Sequence, residues 1–224
     1  LTGHGTTGRA EPPAAGSPGP GRPAPPPGAA TITPARPADA RALADLHRTR
    51  ITEGFLPRLG PGFLRRLYRR MTRSADCVVL TARDGGRIVG FAAGATDLGA
   101  LYRRFLLRDG PVAAMVAAPR LVRHLPQVLE TLRYEQAGGD AEGAEVLSVA
   151  VAADTAGRGL GRALVSRLVV ELAAHGVAEV RVVTGASNAA ALAVYRACGF
   201  RPHRRLEVHA GTVSEQLVWR PAPS

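Results

Sequence analysis

Hydrophobic positions along this 224-residue chain fall into two rhythms. Short apolar or β-branched runs bounded by turn residues predict strands at 77–82, 87–94, 145–151, 178–184, 204–209 and 214–219, and the folded domain starts near Thr31-Ile32-Thr33. Helical spacing appears at 37–50 through Leu43, Leu46 and Arg50, and at 63–72 through Phe63, Leu64, Leu67, Tyr68 and Met71. It returns at 162–175, where Leu164, Leu168 and Leu172 stand at i, i+4, i+8 with Val165 and Val169 beside them. Asp84-Gly85-Gly86 has the chemistry of a hairpin turn, and Ala210-Gly211 centres a second hairpin.

The stretch from Glu145 to Gly176 reads strand, glycine turn, helix, with Gly176 as the helix stop. A glycine-rich turn entering a helix presents successive backbone N–H groups, and the helix dipole adds partial positive charge. Such a turn binds phosphate or pyrophosphate, which points to a nucleotide-like cofactor. A P-loop would end in Gly-Lys-Ser/Thr, and the chain has no lysine. A dinucleotide fingerprint, G-x-G-x-x-G, fails because its third glycine would fall on Arg162 or Leu164. What remains is Ala156-Gly-Arg-Gly-Leu-Gly161, which fits the pattern Q/R-x-x-G-x-G/A at both glycines and departs from it at Ala156.

A second segment follows the next strand. Asn188, Ala191, Tyr195, Gly199 and Phe200 occupy every fixed position of N-x-x-A-x-x-x-Y-x-x-x-G-F. Asn188 is placed as a helix N-cap and Gly199 as the stop. With both motifs in this order, the chain resembles the GNAT N-acetyltransferases over residues 31–220. The resemblance implies an α/β (α+β) fold, a mixed twisted sheet of about seven strands flanked by helices. Its fourth and fifth strands would be parallel and splay apart to hold coenzyme A.

It also implies roles for single residues. Backbone groups of Val149 and Val151 would bond the pantetheine arm, and amides of Gly157, Arg158, Gly159, Gly161 and Arg162 would cradle the pyrophosphate. Asn188 would contact the pantetheine or its surroundings. Tyr195 would be the general acid that protonates the departing thiolate, against the alternative of a tyrosine merely packed on an amphipathic helix. Glu145, six residues before Val151, stands where histone-type members carry a base. Strand alternation gives it the parity of Val149 and Val151 unless a bulge intervenes. Glu53, His47 and Asp97 are weaker base candidates. The donor implied is acetyl-CoA and the partner an amine-bearing acceptor of unspecified identity. A non-catalytic acyl-CoA-binding or sensor domain, a longer acyl donor and a hydroxyl acceptor stay open beside this reading.

Composition narrows the remainder. Residues 1–30 are half Pro and Gly, a composition expected to stay disordered, and residues 221–224 form a short tail. The acetyltransferase domain is expected over 31–220, with a helical insertion at 97–139 between the third and fourth strands. That insertion reads as a substrate lid or as a homodimer contact through Leu101, Phe105, Leu106 and Val116. The net charge of +11 is carried entirely by arginine on the basic side, densest between Arg36 and Arg73. It gives either an electropositive face or a solvated surface built by a genome that favours arginine over lysine. Aromatic residues are too few for base-stacking platforms, so no nucleic-acid partner is expected. No run reaches the ~18 apolar residues of a membrane span, and no secretory signal is visible. Cys77 and Cys198 read as buried thiols, the six histidines show no metal-ligand spacing, and a cytoplasmic setting is expected.

Overall fold

A computed structural model describes residues 30–52, 56–101, 104, 143–209 and 212–221. The expected N-terminal tail and nearly all of the 97–139 insertion lie outside these residues, as do Glu53, Phe105, Leu106 and Val116.

Seven strands form one sheet in the order β1-β2-β3-β4-β5-β7-β6. They are β1 (Thr31–Pro34), β2 (Cys77–Asp84), β3 (Arg87–Ala95), β4 (Ala144–Val151), β5 (Val180–Gly185), β6 (Arg201–His209) and β7 (Thr212–Trp219). Every neighbouring pair is antiparallel except β4 and β5, which run parallel. The turn from β2 to β3 has both Gly85 and Gly86 at positive φ, 53° and 84°, as a tight two-residue hairpin requires. Helices α1 (Ala40–Arg50) and α2 (Pro61–Met71) cover one face of the sheet. Helices α3 (Leu160–Ala174) and α4 (Ala189–Ala197) cover the other. Among the described residues no helix is long and apolar enough to cross a membrane.

The sheet therefore separates two cores. On the α1/α2 side, Leu43, Leu64, Leu67, Tyr68 and Met71 pack on Val79, Phe91 and Ala93. On the other side, Leu164, Leu168 and Leu172 of α3 are fully buried, each contributing about 1.5–3 kcal/mol by leaving water. Small residues in β3 let this helix lie close. A Cβ at Gly90 would come within 3.0 Å of the Leu164 Cδ1, and one at Gly94 within 3.0 Å of the Leu172 Cδ1. Ala92 lies between the two glycines and packs in the same core.

Candidate active site

The site begins with an interruption in β4. Along its antiparallel partner, Ser148 stands opposite Ala93 and Val146 opposite Gly94, so Leu147 is an extra residue, a β-bulge. Parallel pairing with β5 covers Ala144, Glu145 and Val146 and ends at Val146–Val182, although both strands continue. A bulge bends its strand and sharpens the twist, so β4 leaves β5 where Leu147 is inserted. Beyond it, the Ala152 N–H donates to the Val89 carbonyl on β3 at 2.8 Å. Backbone direction alternates along a strand, so the N–H and C=O groups of Val149 and Val151 point the other way, into the opening toward β5.

The glycine turn lies at the end of this opened strand. The buried Thr155 hydroxyl donates to the Ala152 carbonyl at 3.2 Å and anchors the approach. Gly157 and Gly159 adopt φ of 79° and 74°, with no atom of the described residues within 4 Å of where a Cβ would stand. Gly159 is the N-cap of α3 and offers no side chain to the first turn. Ala163 N–H bonds back to the Gly159 carbonyl at 3.0 Å, while the amides ahead of it have no acceptor within the helix. Gly161 faces inward between two methyl groups, and its Cβ position would lie 3.8 Å from Val151 Cγ2 and 3.9 Å from Val194 Cγ2. The turn, the end of β4 and helix α4 thus converge on one glycine.

Helix α4 brings the two polar residues of the second motif. Asn188 is its N-cap, and its Oδ1 accepts the Ala191 N–H at 3.1 Å. Tyr195 lies two turns further on, packed edge to face against Phe200 with ring centroids 5.5 Å apart. Its hydroxyl has no hydrogen-bond partner among the described residues. Burial, helped by the neighbouring Cys198 thiol, pushes its pKa up to about 12, so the proton stays on oxygen across the working range of an enzyme. The Cys198 thiol in turn donates to the Arg162 carbonyl at 3.5 Å and ties α4 to the first turn of α3. Cys77 and Cys198 are both free thiols, and half-buried rather than buried.

The profile of the Acetyltransferase (GNAT) family matches residues 44–200. This chain belongs to the GNAT acetyltransferase family. Its fold is shared by the ribosomal-protein-S18-alanine N-acetyltransferase from Escherichia coli, at TM-score 0.56 and 18% identity, covering 87% of this chain and 96% of that one. A putative acetyltransferase from Salmonella typhimurium, solved with its cofactor acetyl-CoA, aligns at TM-score 0.57 and 18% identity over 86% and 94% of the two chains. Ard1 from Thermoplasma volcanium aligns at TM-score 0.57 and 17% identity over 87% and 99%. No curated protein matches the sequence itself. The cofactor of the family is acetyl-CoA, and an opened strand edge beside a side-chain-free helix start suits its long amide arm and its pyrophosphate.

Within this GNAT fold the base candidates separate. The bulge breaks the alternation expected between Glu145 and Val151. Ala144 and Val146 pack in the core on the α3 side together with Val149 and Val151, which leaves Glu145 on the opposite face. It stands half-buried in the paired stem of β4, opposite Arg181 and before the opening begins. Asp97 caps the helical turn that follows β3, its Oδ1 accepting the Ala100 N–H at 2.7 Å. His47 is buried against Phe91, with its Nδ1 2.6 Å from the Tyr68 hydroxyl. Its Nε2 is buried without a partner among the described residues, and burial pushes its pKa down to about 4.

Two residues of the α1/α2 face escaped sequence reasoning as site residues. Ser148, buried in the bulge, approaches the Tyr68 hydroxyl and opposes the rise that burial imposes on its pKa. Arg50, the last residue of α1, donates from Nε to the Val151 carbonyl at 2.9 Å. The two are 101 positions apart, and no local pattern joins them. Among the described residues no cluster of three His, Cys, Asp or Glu could hold a metal.

Proposed function

We propose that this chain is an acetyl-CoA-dependent N-acetyltransferase that moves an acetyl group to a primary amine of a small-molecule acceptor by direct attack. The observation that carries this reading is the end of β4–β5 pairing at Val146–Val182, with Val149 and Val151 left facing the opening. Bound there, acetyl-CoA supplies an activated acetyl thioester.

The protein's part is positional and electrostatic. Val149 offers both an N–H and a carbonyl to the pantetheine arm. Val151 offers its N–H, its carbonyl being held by Arg50. One of these amides polarises the thioester carbonyl, an oxyanion-type contribution worth about 10²–10³ in rate. The amides of Gly157, Arg158, Gly159, Gly161 and Arg162 face the pyrophosphate, and the α3 dipole favours its charge. Ala156 in place of Gln or Arg removes a side chain but no backbone donor. Asn188 spends its carbonyl oxygen on the helix cap and keeps its amide NH2 for the cofactor's surroundings. Tyr195 holds a proton at Oη and delivers it to the departing sulfur, a step worth roughly 10²–10⁴. Glu145 would act as base only from the α1/α2 face; a base supplied by water serves the same chemistry without it.

Calorimetric titration with acetyl-CoA, CoA, NAD and ATP tests the cofactor assignment. Micromolar binding of acetyl-CoA and CoA, with no heat from NAD or ATP, is the expected result. Absence of acetyl-CoA binding would remove the reading.

A further inference from the structure

The Arg50–Val151 bond is more than an anchor. Arg50 comes from α1, on the face of the sheet opposite α3 and its phosphate turn, and meets β4 at the residue that closes the opened edge. The bond uses Nε alone. Arg50 is solvent-exposed and makes no further hydrogen bond or ion pair among the described residues. A guanidinium is planar and always charged, so fixing Nε fixes the direction of the two terminal nitrogens. Its outer edge therefore presents two parallel N–H donors and one positive charge beside the place where the acyl group would lie. Two parallel donors with one charge match a carboxylate in number and geometry.

The α1 side is also the side left for the acceptor, because α3 and its turn occupy the other. Among the described residues the other buried polar groups on this side, His47, Tyr68, Thr81 and Ser148, are neutral: His47 is held uncharged and the tyrosine stays protonated. Arg50 is thus a cation held in place at this end of β4, on the α1 side.

We infer that Arg50 is a specificity-determining residue that binds the carboxylate of the acceptor, so that the acceptor is a small zwitterionic amine of the amino-acid type. This inference rests on the acetyltransferase reading above and deepens it. The ammonium first gives a proton to water; the neutral amine then attacks the acetyl carbonyl as the carbon–sulfur bond breaks, the nitrogen releases its second proton to water, the thiolate takes one from Tyr195, and the carboxylate stays paired with Arg50 throughout.

The test uses the full chain saturated with CoA, which blocks turnover. Glycine, L-alanine, L-glutamate, β-alanine and γ-aminobutyrate are titrated against glycinamide, L-alaninamide and β-alaninamide. The readout is the Nε–Hε NMR signal of Arg50, assigned by its loss in Arg50→Lys. At least one acid should move this signal while its amide does not. In the acetyl-CoA reaction that acid should be the better acceptor, by about 10- to 100-fold in kcat/KM. Arg50→Lys should raise its KM by a similar factor and leave the KM for acetyl-CoA within about twofold. A signal that responds to none of the acids, or equally to acids and amides, overturns the inference while CoA binding leaves the acetyltransferase reading standing. Failure to bind CoA overturns both.

Discussion

The Tyr68 hydroxyl lies 2.6 Å from Nδ1 of His47, inside the core between the sheet and the two N-terminal helices. This pair links α1 to α2, and the other nitrogen of the imidazole has no partner among the described residues, so charging the ring there is opposed by burial.

A defined acid sensitivity follows. In the unfolded chain His47 takes a proton near its ordinary pKa of 6.5, whereas in the fold it stays neutral down to about pH 4. Between those values the unfolded state binds more protons, so stability falls as pH falls, by up to about 1.4 kcal/mol per pH unit. Above pH 6.5 this residue contributes no pH dependence. Denaturant midpoints measured from pH 7 to pH 4 on wild type and His47→Gln should show a shallower loss for the variant. Parallel curves would remove His47 as the source.

Gly159→Asp should weaken CoA binding by about tenfold or more, because it sets a carboxylate where the helix start favours an anion. Gly159 is exposed and a Cβ there meets nothing within 4 Å among the described residues, so the fold should survive. Gly159→Ala adds the strain of positive φ without the charge and serves as the control. Calorimetry with CoA reads both, and equal affinities for the two variants would dissociate the turn from the phosphates.

Tyr195→Phe should lower kcat by about 10²–10⁴ while changing acetyl-CoA affinity little. The ring keeps its contact with Phe200, and the hydroxyl it loses has no partner among the described residues, so melting temperature should hardly change. Wild-type turnover in this variant would reduce Tyr195 to packing. Because its pKa is pushed up to about 12, the wild-type pH–rate profile should show no limb from Tyr195 near neutrality.

Gly94→Ala should cost about 1–3 kcal/mol, as overpacking a close-packed core does. The new methyl would meet the Glu145 carbonyl oxygen and Leu172 Cδ1, both at 3.0 Å, and the first of these belongs to the backbone and cannot turn away. Gly90→Ala meets the flexible end of Leu164 at 3.0 Å and a backbone oxygen at 3.2 Å, and should cost less. Thermal melts of both variants test the ranking.

Local signals carried much of the architecture into the sequence. The strand, turn and helix from Ala144 to Ala174 announced themselves through apolar spacing and glycine, and Asn188 caps its helix as its position implied. Boundaries moved by one to three residues: the first helix begins at Ala40, after a 3-10 turn at Pro37–Asp39, instead of at Pro37. The bulge at Leu147 was not legible, because an extra residue in one strand is defined only by the register of its neighbour. That single residue decides the face on which Glu145 stands. The bonds of Arg50 to Val151 and of His47 to Tyr68 were hidden for a related reason. Each joins elements that meet only when the sheet has formed, and neither residue type at its position is unusual for an amphipathic helix.

The cradle proposed at the end of β4 would be made almost wholly of main chain: strand amides at Val149 and Val151, turn amides from Gly157 to Arg162, and Gly157 and Gly159, whose positive φ other residues adopt only under strain. Grip and discrimination are therefore written in different alphabets. Every residue type except proline carries the same amide, so a main-chain hold on a donor would outlast replacement of many of the surrounding side chains. The helices on the opposite face would then be free to be rewritten for a new acceptor without loosening that hold.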